Sequence, residues 1–318
     1  MDDVFVGIDV CKDRLDGCLR GGPSFQHDNS PAGVTQVVTL LQQHPVRLVV
    51  VEATGGLEVP VVRALQRAGI GVAVVNPRQA RDFAKASGVL AKTDAIDAAV
   101  LAHFAEAIRP PVRALPDEQT LLLDALVSRR SQLIDMRTME RNRLGQCSDR
   151  KVRANIEKHL TWLQKHIDEV DRELGEAVKS NPDWQARDAL QQSVPGIGPV
   201  VSRTLLASLP ELGQLSGKKL AALAGLAPFA HDSGTQRGHR RVFGGRAEVR
   251  AKLYMAAMTA SRTKSPLGEL FRRLRERGKE FKVAVVAVAR KLLTIVNAVV
   301  RSGAAYEARP RQPAIVVS

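Results

Sequence analysis

The chain opens on an apolar, β-branched run, Val4–Val10 (VFVGIDV), which predicts a buried strand with Asp9 near its end. Short turns separate it from Arg14–Arg20 and Ser24–Asp28, which can follow as antiparallel strands. Pro31–Gln43 places Val34, Val37, Val38 and Leu41 on one helical face. Leu48–Val51 reads as a short buried strand and Glu58–Ala68 as a helix closed by Gly69. Gly71–Val75 is another strand, stopped at Asn76-Pro77, and Thr93–Ala107 is helical. Three leading strands followed by alternating helix and strand predict a mixed α/β sheet.

Beyond Pro110, Pro111 and Pro116 the pattern becomes helical. Asp117–Gln146 and Lys151–Lys179 are long helical stretches. In the second, Ile156, Leu160, Leu163, Ile167, Val170 and Leu174 recur at alternating spacings of four and three, a coiled-coil seam surrounded by charge. Two such helices in succession predict an antiparallel hairpin or a dimerisation arm, with two helices packed into a larger domain as the plainer reading. Asn181-Pro182 ends that region. Further helices are expected at Val200–Ser208, Leu220–Leu226, Ala247–Ser261, Pro266–Arg277 and Lys282–Val300, and a tail without regular structure after Ser302. The expected division is a catalytic domain at 1–115, a coiled-coil region at 116–185, a mainly helical domain at 186–302 and a tail at 303–318.

Composition narrows the class. The 318 residues are 44% hydrophobic and 25% charged, an ordinary globular balance with room for two or three domains. No apolar run reaches membrane-spanning length, and the first residues lack the layout of a signal peptide. Cys11, Cys18 and Cys147 show no CxxC pairing, which points to a reducing cytoplasm and away from structural zinc. Charge is uneven along the chain. Residues 1–120 hold 12 Lys and Arg against 14 Asp and Glu, whereas residues 191–318 hold 22 against 7. A basic last third attracts polyanions, and nucleic acid is the leading one.

Four acids carry the candidate chemistry. Asp9 and Glu52 each end a strand, and neighbouring strands would bring their carboxylates together at one end of the sheet. Asp94 and Asp97, spaced i,i+3, share a helix face. Such a set can hold a pair of Mg²⁺ or Mn²⁺ ions, because hard cations take oxygen ligands and a metal pair clamps the attacking and leaving oxygens of a phosphodiester. Each acid alone is weak evidence: a strand-end Asp is more often a turn or cap residue, and DAIDA also reads as a helix start with Asp94 near the N-cap. A rival fold with a GIDV-like first strand, the actin-like sugar and acetate kinases, would require Gly-rich phosphate loops further on and gives a DxxD helix no role.

Two later motifs complete the picture. VPGIGPVVSRTLLASL matches a helix-hairpin-helix pattern in which Gly196 and Gly198 allow backbone N–H groups to hold a phosphate, although PG and GP also mark ordinary interhelical turns. The segment 228–246 concentrates Arg237, Arg240, Arg241 and Arg246, which could neutralise phosphate, and His231, Asp232 and His239 as proton carriers. Ser233 precedes Gly234 there. On its own it reads as a turn residue more readily than as a nucleophile.

GIDVCK (7–12), VEATGG (51–56), VNPRQARDFAKASGVLAKTDAIDAAVLA (75–102), VPGIGP (194–199) and LAGLAPFAHDSGTQRG (223–238) run in the order found in one family. Through them the chain resembles the DEDD-type transposases of bacterial insertion sequences, described as bridge-RNA-guided serine recombinases. The resemblance covers most of the chain but not the tail. It implies a ribonuclease-H-like (RuvC-like) N-terminal domain, a coiled-coil middle and a helical transposase domain. It also implies that Asp9, Glu52, Asp94 and Asp97 bind Mg²⁺ and that Ser233 forms a covalent link to DNA. Assemblies of dimers, an active site shared between subunits and a structured noncoding guide RNA are further implications. A metal-dependent junction nuclease using water, and a non-catalytic nucleic-acid-binding protein, remain the alternatives.

Overall fold

β1 (Val4–Val10), β2 (Arg14–Leu19) and β3 (Ser24–Asp28) form an antiparallel meander. β4 (Val46–Glu52) and β5 (Val72–Val75) join in parallel on the other side of β1, giving the order β3-β2-β1-β4-β5. The computed structural model describes residues 3–89, 94–112, 117–229 and 241–307, the side chains of 94 and 95 excepted. β1 and β4 are apolar almost throughout because helices cover both faces of the sheet.

The period-two alternation of the strands divides the sheet into two cores. Val6, Ile8, Val49 and Val51 pack with residues of α1 (Pro31–Gln42) and α2 (Val59–Arg67), including Val37, Leu41, Val62 and Leu65. On the opposite face Phe5, Leu48, Val50 and Val75 meet Ala80 of α3 (Pro77–Ala86) and Leu101 and Phe104 of α4 (Asp94–Ile108). The sequence reading lacked α3. Asn76-Pro77 is both the stop of β5 and the start of this helix: the Asn76 side chain accepts from the Arg78 N–H, and Pro77 occupies the first turn.

Past residue 116 the chain forms a second unit, Asp117–Ser318, the first being Met1–Pro116. α5 (Glu118–Gln146) and α6 (Arg150–Lys179) are capped by Asp117 and Asp149. The side-chain pairs Arg130–Asp171, Arg137–Gln164 and Glu140–His159 step in opposite directions along the two helices, which makes them antiparallel. Leu163, Ile167, Val170 and Leu174 of the seam pack against Leu123, Val127 and Leu133 of α5. Leu206 and Ala207 of α8 (Pro199–Ser208) join the same core. The hairpin therefore shares a core with the C-terminal helices and is not a free arm along its whole length.

α7 (Pro182–Gln192), also absent from the sequence reading, precedes α8 and is capped by Asn181. α9 (Gly217–Leu223), the short strands β6 (Pro228–Phe229) and β7 (Arg241–Val242), and α10 (Ala247–Ser261), α11 (Pro266–Glu276) and α12 (Phe281–Ser302) follow. α12 supplies Val285, Val288, Leu292 and Val296 to the core they share. By length and composition α12 is apolar enough to cross a membrane, which corrects the expectation that no stretch reaches that length; half of its apolar window is buried inside the unit. Tyr306, past the end of α12, packs on the same core and its N–H donates to Ser193 Oγ at 2.8 Å.

Candidate active site

The first two acids are placed by strand register. β1 and β4 run parallel with Ile8 opposite Val51, so Asp9 and Glu52 come next in line on adjacent strands. Both lie on the face covered by α3 and α4, because Asp9 alternates with Phe5 and Gly7, and Glu52 with Leu48 and Val50. Asp9 is oriented in part by the Val10 N–H, which donates to its Oδ1 at 3.0 Å.

The third acid depends on a close approach of helix to sheet. A β-carbon at Gly7 would sit 2.2 Å from the Ala98 carbonyl oxygen and 2.3 Å from the Ala102 nitrogen. Only glycine lets α4 lie this near β1, and that contact brings Asp97, one turn before Leu101, over the strand end. The far end of α4 is tied to the sheet by Arg20 Nε, which donates to Glu106 Oε2 at 2.6 Å. This bond and the positive charge behind it hold the exposed Glu106 carboxyl below the ordinary carboxylate range.

Asp9, Glu52 and Asp97 consequently line one cavity of about 280 Å³, with Pro77 and Arg81 of α3 on its other side. Asp94 opens α4; its side chain lies outside the described residues. Among the described residues no three acidic, His or Cys side chains converge closely enough to form a metal cluster by themselves. The donor set nonetheless suits a hard divalent cation, since it is all oxygen and comes from rigid strand ends and a helix.

Three residues missed by the sequence reading support this site. Asp16, 8% exposed, lies directly across the antiparallel pair from Asp9, accepts from Gln26 Nε2 at 2.6 Å and is 3.9 Å from Arg14. Like charges opposite one another are unfavourable, and Gln26 and Arg14 offset the cost. Glu58, 9% exposed, accepts from the Thr54 and Gly56 N–H groups and from the Thr54 hydroxyl, fixing the loop that follows Glu52. Arg81 adds a cation to the carboxylate cavity. Asp16 and Glu58 had no signal beyond being acids near a strand. Arg81 lies within the 75–102 motif, on the helix the sequence reading lacked.

In the second unit, Ser233, Arg237 and Arg240, with His231, Asp232 and His239, lie outside the described residues. The segment that contains them is bracketed by β6 and β7, which pair with Phe229 opposite Arg241. Arg241 is exposed. Arg246, expected to contact phosphate, is instead committed to Glu211: NH1 and NH2 donate to its two carboxylate oxygens at 2.6 and 2.7 Å, and NH1 also donates to the Ser208 carbonyl. The guanidinium fork is thereby filled by an internal partner. Gly196, at φ 95°, packs toward Ala256 and Ala260 of α10, so packing accounts for it. Gly198 caps α8, and open space surrounds the position its β-carbon would take, which leaves room for an approaching group.

Comparison with known proteins matches two stretches of the chain, the first of which runs past residue 116 into the second unit. A DEDD transposase profile of the IS110 type, described as "Transposase", matches residues 6–150, and one described as "Transposase IS116/IS110/IS902 family" matches residues 188–272. The chain is 28% identical to the pilin gene-inverting protein of Moraxella bovis, across 97% of this chain and 99% of that protein. It is 26% identical to the IS116 uncharacterized 44.8 kDa protein of Streptomyces clavuligerus, across 62% of this chain and 47% of that protein. Among solved structures it is similar to T. thermophilus RuvC in complex with a Holliday junction substrate, at 17% identity and a TM-score of 0.26, over 34% of this chain and 96% of that one.

Proposed function

Because the chain belongs to the IS110/IS116/IS902 family of insertion-sequence transposases, we propose that it cuts and rejoins DNA strands at a divalent-metal site, through a covalent link to Ser233. The observation that carries the metal half is the single cavity lined by Asp9, Glu52 and Asp97. Asp94 completes the set in this reading. Mg²⁺ is the expected ion, with Mn²⁺ a substitute of the same oxygen preference. When bound, such ions supply charge neutralisation and orientation at a phosphodiester. The sheet order and these acids together support a ribonuclease-H-like, RuvC-like nuclease domain.

The chain's own groups divide the work. Asp9 and Glu52 are fixed by strand register, and Asp97 by the seating of α4 on Gly7, so their positions are set before DNA arrives. Arg81 faces the same space and can bear on a non-bridging phosphate oxygen. In the covalent step the Ser233 oxygen bonds to phosphorus, the bond from phosphorus to one deoxyribose oxygen breaks, and the serine proton ends on that leaving oxygen. The phosphodiester energy is kept in the serine ester, so rejoining needs no outside energy source. That economy suits a relative whose name speaks of inverting a gene, since inversion requires rejoining as well as cutting.

The basic second unit supports binding to nucleic acid backbone, with Gly198 at the start of α8 as one phosphate contact in a helix-hairpin-helix role. Arg237, Arg240 and Arg241 are the proposed side-chain contacts. A structured noncoding RNA that pairs with DNA is the proposed source of sequence choice. The α5–α6 hairpin, with its coiled-coil-like seam, is the proposed element of a homodimer and of a tetramer made from two dimers. The proposed location is the bacterial cytoplasm, at the nucleoid when acting on DNA.

The test is a protein–DNA adduct that survives denaturation. It is expected with the unaltered chain and Mg²⁺ and lost in Ser233→Ala. No adduct from the unaltered chain, or an adduct in Ser233→Ala, sinks the serine mechanism. The second reading, hydrolysis by water, is favoured by the same three carboxylates, makes no use of Ser233 and predicts cleavage without adduct. A non-catalytic role predicts that Asp97→Ala changes nothing.

A further inference from the structure

A second cavity, of about 530 Å³, lies within the Asp117–Ser318 unit. Its floor includes Val242, Val283 and Val286, its rim Arg241, Lys282 and Arg290, and no described acidic residue lines it. The size is that of ligand pockets, commonly ~300–1,000 Å³. Val283 in its lining is 51% exposed, and Phe243 and Phe281, each next in sequence to a lining residue, are 52% and 46% exposed. Phe229, 44% exposed, stands opposite Arg241 in the β6–β7 ladder. A large apolar surface left open to water costs solubility unless something covers it.

The occupant must satisfy two demands together. An apolar floor takes a flat, weakly hydrated group, and three cations with no acid among the described lining residues take an anion. A nucleotide carries both, the base for the floor and the phosphate for the rim. Apolar and aromatic platforms beside cations are how proteins hold unpaired bases of single strands, and a base drawn out of a duplex is held in the same way, between apolar side chains. The location agrees, since β6 and β7 bracket the segment that carries Ser233.

We propose that this cavity holds one unpaired nucleotide of the DNA strand being cut, its base against Val242, Val283 and Val286 and its phosphate between Arg241, Lys282 and Arg290. The inference rests on the proposed function for its substrate, DNA. A base held here would fix the register of the strand relative to the 230–240 segment, separately from any pairing to a guide. It would also make the enzyme favour distorted or single-stranded DNA over a plain duplex.

The test uses the full chain, a fluorescent oligothymidylate of about 15 nucleotides, and a blunt duplex of matching length, with binding read by anisotropy. Val283→Asp puts a carboxylate among the rim cations at an exposed position, and Ala287→Trp fills the cavity. Each is expected to weaken oligothymidylate binding about tenfold, or ~1.4 kcal/mol, and to leave duplex binding unchanged. Iododeoxyuridine cross-linking should map to peptides containing Phe229, Phe243 or Phe281. Unchanged oligothymidylate binding in Val283→Asp overturns the proposal. So does an equal loss for single strand and duplex, which would make the rim a general phosphate patch. A changed oligomeric state with unchanged DNA binding would assign the surface to a second copy and equally overturn it. Failure of the Ser233 adduct with these affinities intact would sink the serine mechanism alone. An intact adduct with unaltered affinities would sink this cavity alone.

Discussion

Gly7→Ala is the smallest change that should disable the acidic site without touching an acid. The added carbon would lie 2.2 Å from the Ala98 oxygen, about 1.2 Å short of the 3.4 Å at which ordinary contact begins, and 2.3 Å from the Ala102 nitrogen. Both obstacles are helix backbone, so no side chain can turn aside to make room. α4 must move off the sheet by roughly 1 Å, and it packs on β1 through Leu101, Phe104 and Ala105, all buried. Overpacking of this kind costs about 1–3 kcal/mol. For a unit of this size that is a fall in melting temperature on the order of 5–15 °C. Asp97 rides on the same helix. A misplacement near 1 Å at a reacting centre costs ~10²-fold in rate. Thermal unfolding by circular dichroism gives the first quantity, and hydrogen exchange localises it to β1, β4 and α4. Metal-dependent strand cleavage at a temperature where the variant is folded gives the second. A variant that melts within about 1 °C of the unaltered chain would show that α4 is not held by the approach to Gly7. One that is destabilised yet cuts at the full rate would show that Asp97 does not need its observed place.

Asp97→Asn, which keeps volume and removes charge, should lower Mg²⁺-dependent cleavage by about 10²-fold or more, the equivalent of several kcal/mol of charge stabilisation; chelation of divalent ions should abolish cleavage, and activity in their absence would refute the metal reading. Arg246→Ala should destabilise the second unit by about 1–3 kcal/mol, because it removes the two-pronged partner of the half-buried Glu211 carboxylate, and should leave the salt dependence of DNA binding as it was. A decrease of about one in the slope of log affinity against log salt would instead make Arg246 a phosphate contact. Asp117→Ala should cost roughly 0.5–1 kcal/mol through fraying of α5, read by thermal denaturation. The Asp117 carboxyl accepts from Thr120 and is held below the ordinary range. Its contribution is therefore present above the ordinary carboxylate pKa and disappears as pH falls through the lowered value, so variant and unaltered chain should converge in strong acid. A gap that persists there would assign the loss to something other than the cap.

Much of the first unit was legible in the sequence because its elements announce themselves locally. VFVGIDV is short, apolar and β-branched, which favours a buried strand, and β1 and β3 begin and end where the pattern places them. The meeting of Asp9 with Glu52 followed from one assumption, that their strands are neighbours, and the parallel register supplies it. α3 was not legible because its buried residues are alanines, Ala80 and Ala84, too small to stand out as an apolar stripe. α7 was hidden in the same way: only Gln191, a polar residue, is fully buried along it, held among Ser202 and its neighbours. Asp16 and Glu58 lie beyond reach for another reason. Their importance depends on cross-strand pairing and on loop N–H groups, neither of which leaves a periodic trace.

Arg241 and Arg246 show where composition stops being informative. Both belong to the same Arg-rich stretch, and both were expected to grip phosphate. One is exposed on β7 at the edge of an apolar cavity that no described acidic residue lines. The other is bound at both nitrogens by Glu211, 35 residues away in sequence, and anchors the start of α10 to the end of α8. A net charge counts the two equally, yet a polyanion can recruit only the cation whose donors are not already spent. The basic charge of the last third thus overstates the number of phosphate contacts it can make, and the salt slope of DNA binding should be smaller than its lysines and arginines would suggest.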